Sequence, residues 1–197
     1  MIFSGRKVVL ASASPRRLAI LRQIGIEPEV LPVDVEEIKV LDPGDDPETL
    51  VTKNAAMKAR AAADKYEDAV VIGSDTIVVL EGHMFGKPED ETEAKGMLSL
   101  LAGREHQVYT GICLIDTKNG KSISGADMCR VSFAQLSIAD IEEYVATGEP
   151  MGKAGAYGIQ GRGAVLIDKI DGDYYTVMGL SVAMLRRLAR VIDMLAK

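Results

Sequence analysis

Apolar positions change period along the chain, and each change marks an element. Val8-Val9-Leu10-Ala11 is an unbroken apolar run, the pattern of a buried strand, and Leu18, Leu21 and Ile24 then recur at helical spacing. Ser14 supplies an N-cap for that helix, Pro15 fits its first position, and Gly25 is its stop. From Glu29 to Leu41, Val33 and Val35 alternate with Asp34, Glu36 and Glu37, so the segment is expected to be extended. Asp46-Pro47-Glu48 opens a second helix as cap, proline and first-turn acid, and its alanine-rich body runs to about Tyr66. The stretch "DAVVIGSDTIVVLEGHMFGKP" predicts a strand, a polar interruption, a second strand, and a tight turn at Glu81-Gly82 into a short return arm.

Residues 92 to 101 read as a helix with Leu98 and Leu101 on one side and Gly103 as its stop. Two long strands, about 106 to 116 and 121 to 135, flank a turn at Lys118-Asn119-Gly120. Ser137 and Asp140 have the spacing of a capping box for a helix reaching Thr147-Gly148. The segment from Glu149 to Gly179 then holds seven of the 19 glycines and few helix formers, which predicts tight turns with backbone close to another group, a ligand among the candidates. An amphipathic helix over residues 182 to 195 follows. Helices and strands alternate without repeats or linkers, so a single α/β domain over residues 1 to 197, built on a mixed sheet, is expected.

Composition narrows the class. Hydrophobic residues make up 47% and charged ones 26%, the balance of a globular chain with a real core. A net charge of −6 excludes a broad nucleic-acid surface, because such binding needs basic groups to displace counterions. The apolar run after Arg6 and Lys7 is too short for a signal peptide, and no membrane span is expected. Cys113 and Cys129 read as small buried groups, which suits a reducing, cytoplasmic compartment. His83 and His106 form no metal-type cluster, so histidine-ligated zinc is not expected.

Three groups of residues carry candidate chemistry. The first is the turn into the first helix, where Arg16 and Arg17 bring positive charge to an end whose macrodipole favours anions. With Ser12, Ser14 and free backbone amides, these arginines suit a phosphate. A surface arginine beside a salt-bridged one satisfies the same spacing. The second is Asp75-Thr76 inside "VVIGSDTIVVL": a buried carboxylate there requires a metal, a cation or a donor network, unless it merely caps a bend at a sheet edge. The third is Lys58, Lys87 and Lys153, each an ordinary surface lysine alone, but together with the arginines and Asp75 the outline of a magnesium-triphosphate site. Glu37 is a further acidic candidate.

The segments "LASASPRRLAIL", "NAAMKARAA", "GSDTIVV", "GKPED", "YTGICL", "KAGAYGIQGRG" and "GDYYTVMGLSV" follow one another from residue 10 to 182. In this order they resemble the Maf family of nucleoside triphosphate pyrophosphatases. The resemblance implies a Maf/Ham1 (ITPase-like) fold, an elongated mixed β-sheet with flanking helices in two lobes around a cleft. It also implies hydrolysis of a nucleoside triphosphate to monophosphate and pyrophosphate with a divalent metal, Mg²⁺ or Mn²⁺. Carried over by motif, Asp75 is the catalytic acid/base and a metal ligand with Glu37; Arg16, Thr76 and Gln160 bear on substrate choice. Ser12, Arg17, Lys58, Lys87 and Lys153 are the implied phosphate neighbours. The intact "KAGAYGIQG" points to the subgroup acting on dTTP and UTP, and a homodimer is implied on the same ground. Two departures, Ala13 and the Ser181 of "GLSV", lie outside these roles. Other readings are a Ham1-like hydrolase of non-standard nucleotides and a nucleotide-sensing regulator of cell division without turnover.

Overall fold

The computed structural model describes residues 2–3, 5–40 and 45–195. Its seven-stranded sheet is mixed, as expected. The strands are β1 (Val8–Leu10), β2 (Glu29–Val30), β3 (Val70–Leu80), β4 (His83–Phe85), β5 (Glu105–Asp116), β6 (Lys121–Phe133) and β7 (Ile167–Asp171). They run in the order β2-β1-β3-β5-β6-β7, with β4 on β3. β1 pairs parallel with β2 and β3, whereas β4 and β7 lie antiparallel to β3 and β6. The helices are α1 (Pro15–Gln23), α2 (Pro47–Ala63), α3 (Glu91–Leu101), α4 (Ile138–Ala146), α5 (Tyr174–Met178) and α6 (Val182–Leu195).

The chain divides into two compact units. One comprises residues 1–75, 110–127 and 179–197, the other 76–109 and 128–178. In the first, Ala55, Ala59 and Ala62 pack on Val9, Val71 and Cys113, and Leu10, Ile20, Ile72, Leu114 and Leu185 are fully buried as well. In the second, Leu98, Leu101, Phe85, Phe133, Tyr144 and Tyr157 form a core cluster. Both cysteines are buried thiols, matching the expectation of small apolar groups.

Local signals fixed most boundaries. Ser14, Asp46 and Ser137 cap their helices, the last in a full capping box with Asp140. Glu81 and Gly82 both have positive φ, 50° and 83°, which a two-residue hairpin turn of matching twist requires. Three expectations are corrected. The polar interruption in "VVIGSDTIVVL" is absent: β3 runs through all eleven residues, because Ser74 and Asp75 find partners inside the protein. Of the segment expected to be extended from Glu29, only Glu29–Val30 pairs with a strand, and Leu41 lies outside the described residues. The glycine-rich segment also holds a strand, β7, and a short helix, α5, beside its turns.

His106 sits in the second unit, 2% exposed, with its ring edge-on to Phe133 and Tyr157 and its Nε2 2.7 Å from the Tyr157 hydroxyl. Its Nδ1 faces no hydrogen-bond partner among the described residues, so a second ring proton has nowhere to be received. Burial lowers its pKa from 6.5 to about 4. Between those values the unfolded chain takes up a proton that the folded one refuses, so stability falls as pH drops through that window. From pH 7 to 5 the loss from this residue is roughly 2 kcal/mol. Urea titrations at the two pH values should show a smaller difference for His106→Gln than for the wild type; equal differences overturn this account.

Candidate functional site

The acidic centre is built by a helix lying unusually close to a strand. A Cβ added to Gly73 of β3 would stand 2.1 Å from the Ala55 carbonyl oxygen, and one added to Gly111 of β5 would stand 2.4 Å from that of Val51. Only glycines therefore fit beneath α2 at these points. Asp75 is two residues beyond Gly73, hence on the same strand face, and Asn54 and Lys58 are one helical turn apart. Close approach of α2 brings both onto the carboxylate. The Lys58 ammonium donates to Asp75 Oδ1 at 2.7 Å, and Asn54 Nδ2 donates to Oδ2 at 2.9 Å.

Lys58 also stands 2.7 Å from Glu37 Oε1, so one ammonium joins the two carboxylates. Glu37 lies on irregular chain, and Asn54 pins that chain in place. Its Oδ1 accepts from the Ile38 amide at 2.8 Å, and its Nδ2 donates to the Ile38 carbonyl at 3.0 Å. Asn54 is 2% exposed and Asp75 5%, so the bonds of Lys58 and Asn54 to the Asp75 carboxylate are made away from water. Asn54 was not singled out by the sequence reasoning. Its signal is the i, i+4 spacing to Lys58 within "NAAMK".

On the opposite face of β3, Ser74 Oγ donates to the Gly179 carbonyl at 3.0 Å. That oxygen also accepts from Arg17 Nε at 2.9 Å, while Arg17 Nη1 donates to Ser12 Oγ at 3.0 Å. Ser12 Oγ in turn accepts from the Ser14 amide at 3.2 Å. The arginine side chain is thus folded back on the turn that precedes α1. Burial pulls its pKa below the usual guanidinium value, against the charges of Asp75 and Glu37 and with that of Arg16. An arginine stays protonated under such a shift, so the turn keeps a fixed positive charge. Arg16 is half-buried beside it.

The first unit therefore holds Ser12, Arg16, Arg17, Glu37, Lys58 and Asp75. The second carries the others. Thr76 follows Asp75 on β3 and is half-buried. Lys87 is exposed in the loop after β4, and the preceding Gly86 carbonyl accepts from the Gly155 amide at 3.0 Å, which joins this loop to the turn holding Lys153. A Cβ at Gly155 would stand 2.8 Å from Val78 Cγ2, so glycine is required where this turn presses on β3. Lys153 is half-buried and its ammonium donates to the Glu149 carbonyl. Gln160 is exposed at the head of a 3-10 turn over Gly161–Leu166.

The chemistry of the acidic centre suits a hard divalent ion. Glu37 and Asp75 offer carboxylate oxygens close enough to share one ammonium, and Mg²⁺ is typically bound by one or two carboxylates completed by substrate phosphates and water. Among the described residues no group of three His, Cys, Asp or Glu forms a metal cluster, so an ion held by these two carboxylates would take its remaining ligands from other groups.

Comparison with known proteins finds relatives along nearly the whole chain. A protein of Symbiobacterium thermophilum named dTTP/UTP pyrophosphatase is 47% identical over 192 residues, 98% of this chain and 94% of that one. Another of that name from Dictyoglomus thermophilum is 42% identical over 183 residues, 93% and 94% of the two chains. Among solved structures, a HAM1 protein from Coxiella burnetii shares the fold with a TM-score of 0.52 at 17% identity, covering 95% of this chain and 98% of that one. The family model described as Maf-like protein matches residues 7–192, and the chain belongs to that family.

Proposed function

We propose that this chain is a nucleoside triphosphate pyrophosphatase that hydrolyses dTTP and UTP to the monophosphate and pyrophosphate. The observation that carries the reading is Asp75, a buried carboxylate on a central strand beside two fixed cations, Lys58 and Arg17. Relatives of 42% to 47% identity named for this activity support it.

Attack on the α-phosphorus forms a new P–O bond to water and breaks the α–β anhydride bond, releasing pyrophosphate. The difficulty is charge, since an oxygen nucleophile approaches a polyanion, so positioning and neutralisation dominate. Asp75 takes the proton lost by the attacking water. Lys58 and Asn54 each engage one of its oxygens, and a carboxylate oxygen has a second lone-pair site available for such a proton. Arg17 and the amides at the start of α1 offer positive charge to phosphate oxygens, with Ser12 holding the guanidinium. Arg16, Lys87 and Lys153 are assigned the same task, and Thr76 a part in substrate choice. A divalent cation, Mg²⁺ or Mn²⁺, held by Asp75 and Glu37 would neutralise charge on the phosphates. Gln160 is assigned the base: its amide donates and accepts, matching the O4 and N3–H edge of uracil and thymine.

The test is pyrophosphate release by the purified chain with Mg²⁺ from dTTP, UTP, CTP, 5-methyl-UTP, 7-methyl-GTP and ITP. dTTP and UTP should be turned over fastest. Preference for ITP points instead to a Ham1-like activity, and tight binding without product to a nucleotide sensor; either result overturns the proposal.

A further inference from the structure

Gln160 is exposed and flanked by glycines at 158, 161 and 163, residues that supply no side chain to fix the loop. Something else must hold it. The loop closes tightly, since a Cβ on Gly163 would stand 2.2 Å from the Gly158 carbonyl oxygen and 2.8 Å from the Tyr144 hydroxyl. The Tyr144 hydroxyl thus sits at the neck, accepting from the Gly158 amide at 3.3 Å and donating to Glu149 Oε1 at 3.1 Å. Beyond Gln160, the Gly163 amide donates to Glu149 Oε1 and the Arg162 amide to Oε2, both at 3.0 Å. A single carboxylate therefore receives both amides of one end of the loop and, through Tyr144, is tied to the other.

Glu149 is itself immobilised at three points. Its amide donates to Thr147 Oγ1 at 3.0 Å, its carbonyl accepts from the Lys153 ammonium, and its side chain is committed to the loop. Burial raises its pKa, but the amides of Gly163 and Arg162, the Tyr144 hydroxyl and the Lys153 charge outweigh that and hold it below the ordinary glutamate value. The carboxylate is thus anionic at neutral pH, and bonds from amides to an anion are about twice as strong as neutral ones.

We propose that Glu149 is a positioning residue for base selection: it fixes the backbone on either side of Gln160 and so sets the direction in which that amide is presented. The proposal rests on the reading that Gln160 recognises the pyrimidine edge. A purely structural carboxylate would, when altered, weaken turnover of all nucleotides alike. A positioning one changes the ratio between nucleotides that differ only at the edge Gln160 reads.

UTP and CTP differ there, O4 and N3–H in one being replaced by an amino group and a bare N3 in the other. The experiment measures kcat/KM for both in the wild type, Gln160→Ala, Glu149→Gln, Tyr144→Phe and the double variant Glu149→Gln with Gln160→Ala. The UTP-to-CTP ratio should fall about tenfold in Gln160→Ala and about fivefold in Glu149→Gln, with the double variant no lower than Gln160→Ala alone. A ratio lowered in Gln160→Ala but unchanged in Glu149→Gln overturns the role of Glu149. A ratio unchanged in Gln160→Ala overturns the assignment of Gln160, and this proposal with it. Tyr144→Phe removes one bond at the neck and leaves the carboxylate, so it decides the matter should Glu149→Gln fail to fold: a ratio equal to the wild type there overturns the proposal.

Discussion

Asp75→Asn should abolish pyrophosphate release from dTTP, lowering kcat by about three orders of magnitude, while the protein still folds. The amide nearly matches the carboxylate in shape but cannot accept a proton from water. It also creates a local conflict. Both oxygens of Asp75 accept, from Lys58 and Asn54, and Asn54 cannot turn to compensate because its own oxygen and nitrogen are held by the Ile38 amide and carbonyl. The new NH₂ group therefore faces a donor, at a cost of about 1–3 kcal/mol. A modest loss of stability with a near-complete loss of activity is the expected signature, read by thermal unfolding and pyrophosphate release. Turnover above about a tenth of the wild type would remove Asp75 from proton transfer, since general-base catalysis is typically worth at least about a hundredfold.

That conflict explains why the site was only partly legible in the sequence. Asp75 stood out because a carboxylate in an apolar run is costly, whereas its partner Lys58, which is buried, read by itself as an ordinary surface lysine. What the run could not reveal was that β3 passes through Asp75 unbroken. Polar residues interrupt a strand when they need water; Ser74 and Asp75 do not, because Gly179, Lys58 and Asn54 meet them from segments far away in the sequence. Glycine had the same ambiguity. Gly73 reads as part of an interruption between two strands, whereas its role is to leave room for the backbone of α2.

Elements defined by near neighbours were legible. The caps at Ser14, Asp46 and Ser137 and the turn at Glu81-Gly82 depend on residues within four positions of one another. β7 and α5 were hidden because the glycines around them spoke for turns, and β7 earns its place by pairing with β6 some forty residues earlier, Arg130 facing Asp171. Glu149 is the counterpart in the second unit of Asn54 in the first. Neither is a residue type that draws notice by itself, and each matters through bonds to segments that carry more conspicuous residues. The two arginines at the start of α1 were conspicuous for their sign; the fold shows Arg17 committed to Gly179 and Ser12, so its charge is held in place rather than left to solvent.

Lys58→Met should destabilise the protein by about 3 kcal/mol and abolish activity, even though methionine keeps much of the apolar stem. Lysine joins two carboxylates that differ in their access to water. The side chain of Glu37 is 33% exposed and can turn outward when its partner is lost, whereas that of Asp75 is 7% exposed and cannot. The cost therefore arises chiefly from an uncompensated charge at Asp75, at the lower end of what breaking a buried pair costs because the charge of Arg17 also acts on it. For a chain of 197 residues each kcal/mol lowers Tm by about 2–4 °C, so the shift is readily measured. The decisive comparison is the double variant with Asp75→Asn. Without a charge at position 75 the ammonium has less to neutralise, so Lys58→Met should cost about 2 kcal/mol less in that background than in the wild type. Costs that simply add would mean that the lysine stabilises this region by packing alone, and the electrostatic account of the acidic centre would fall.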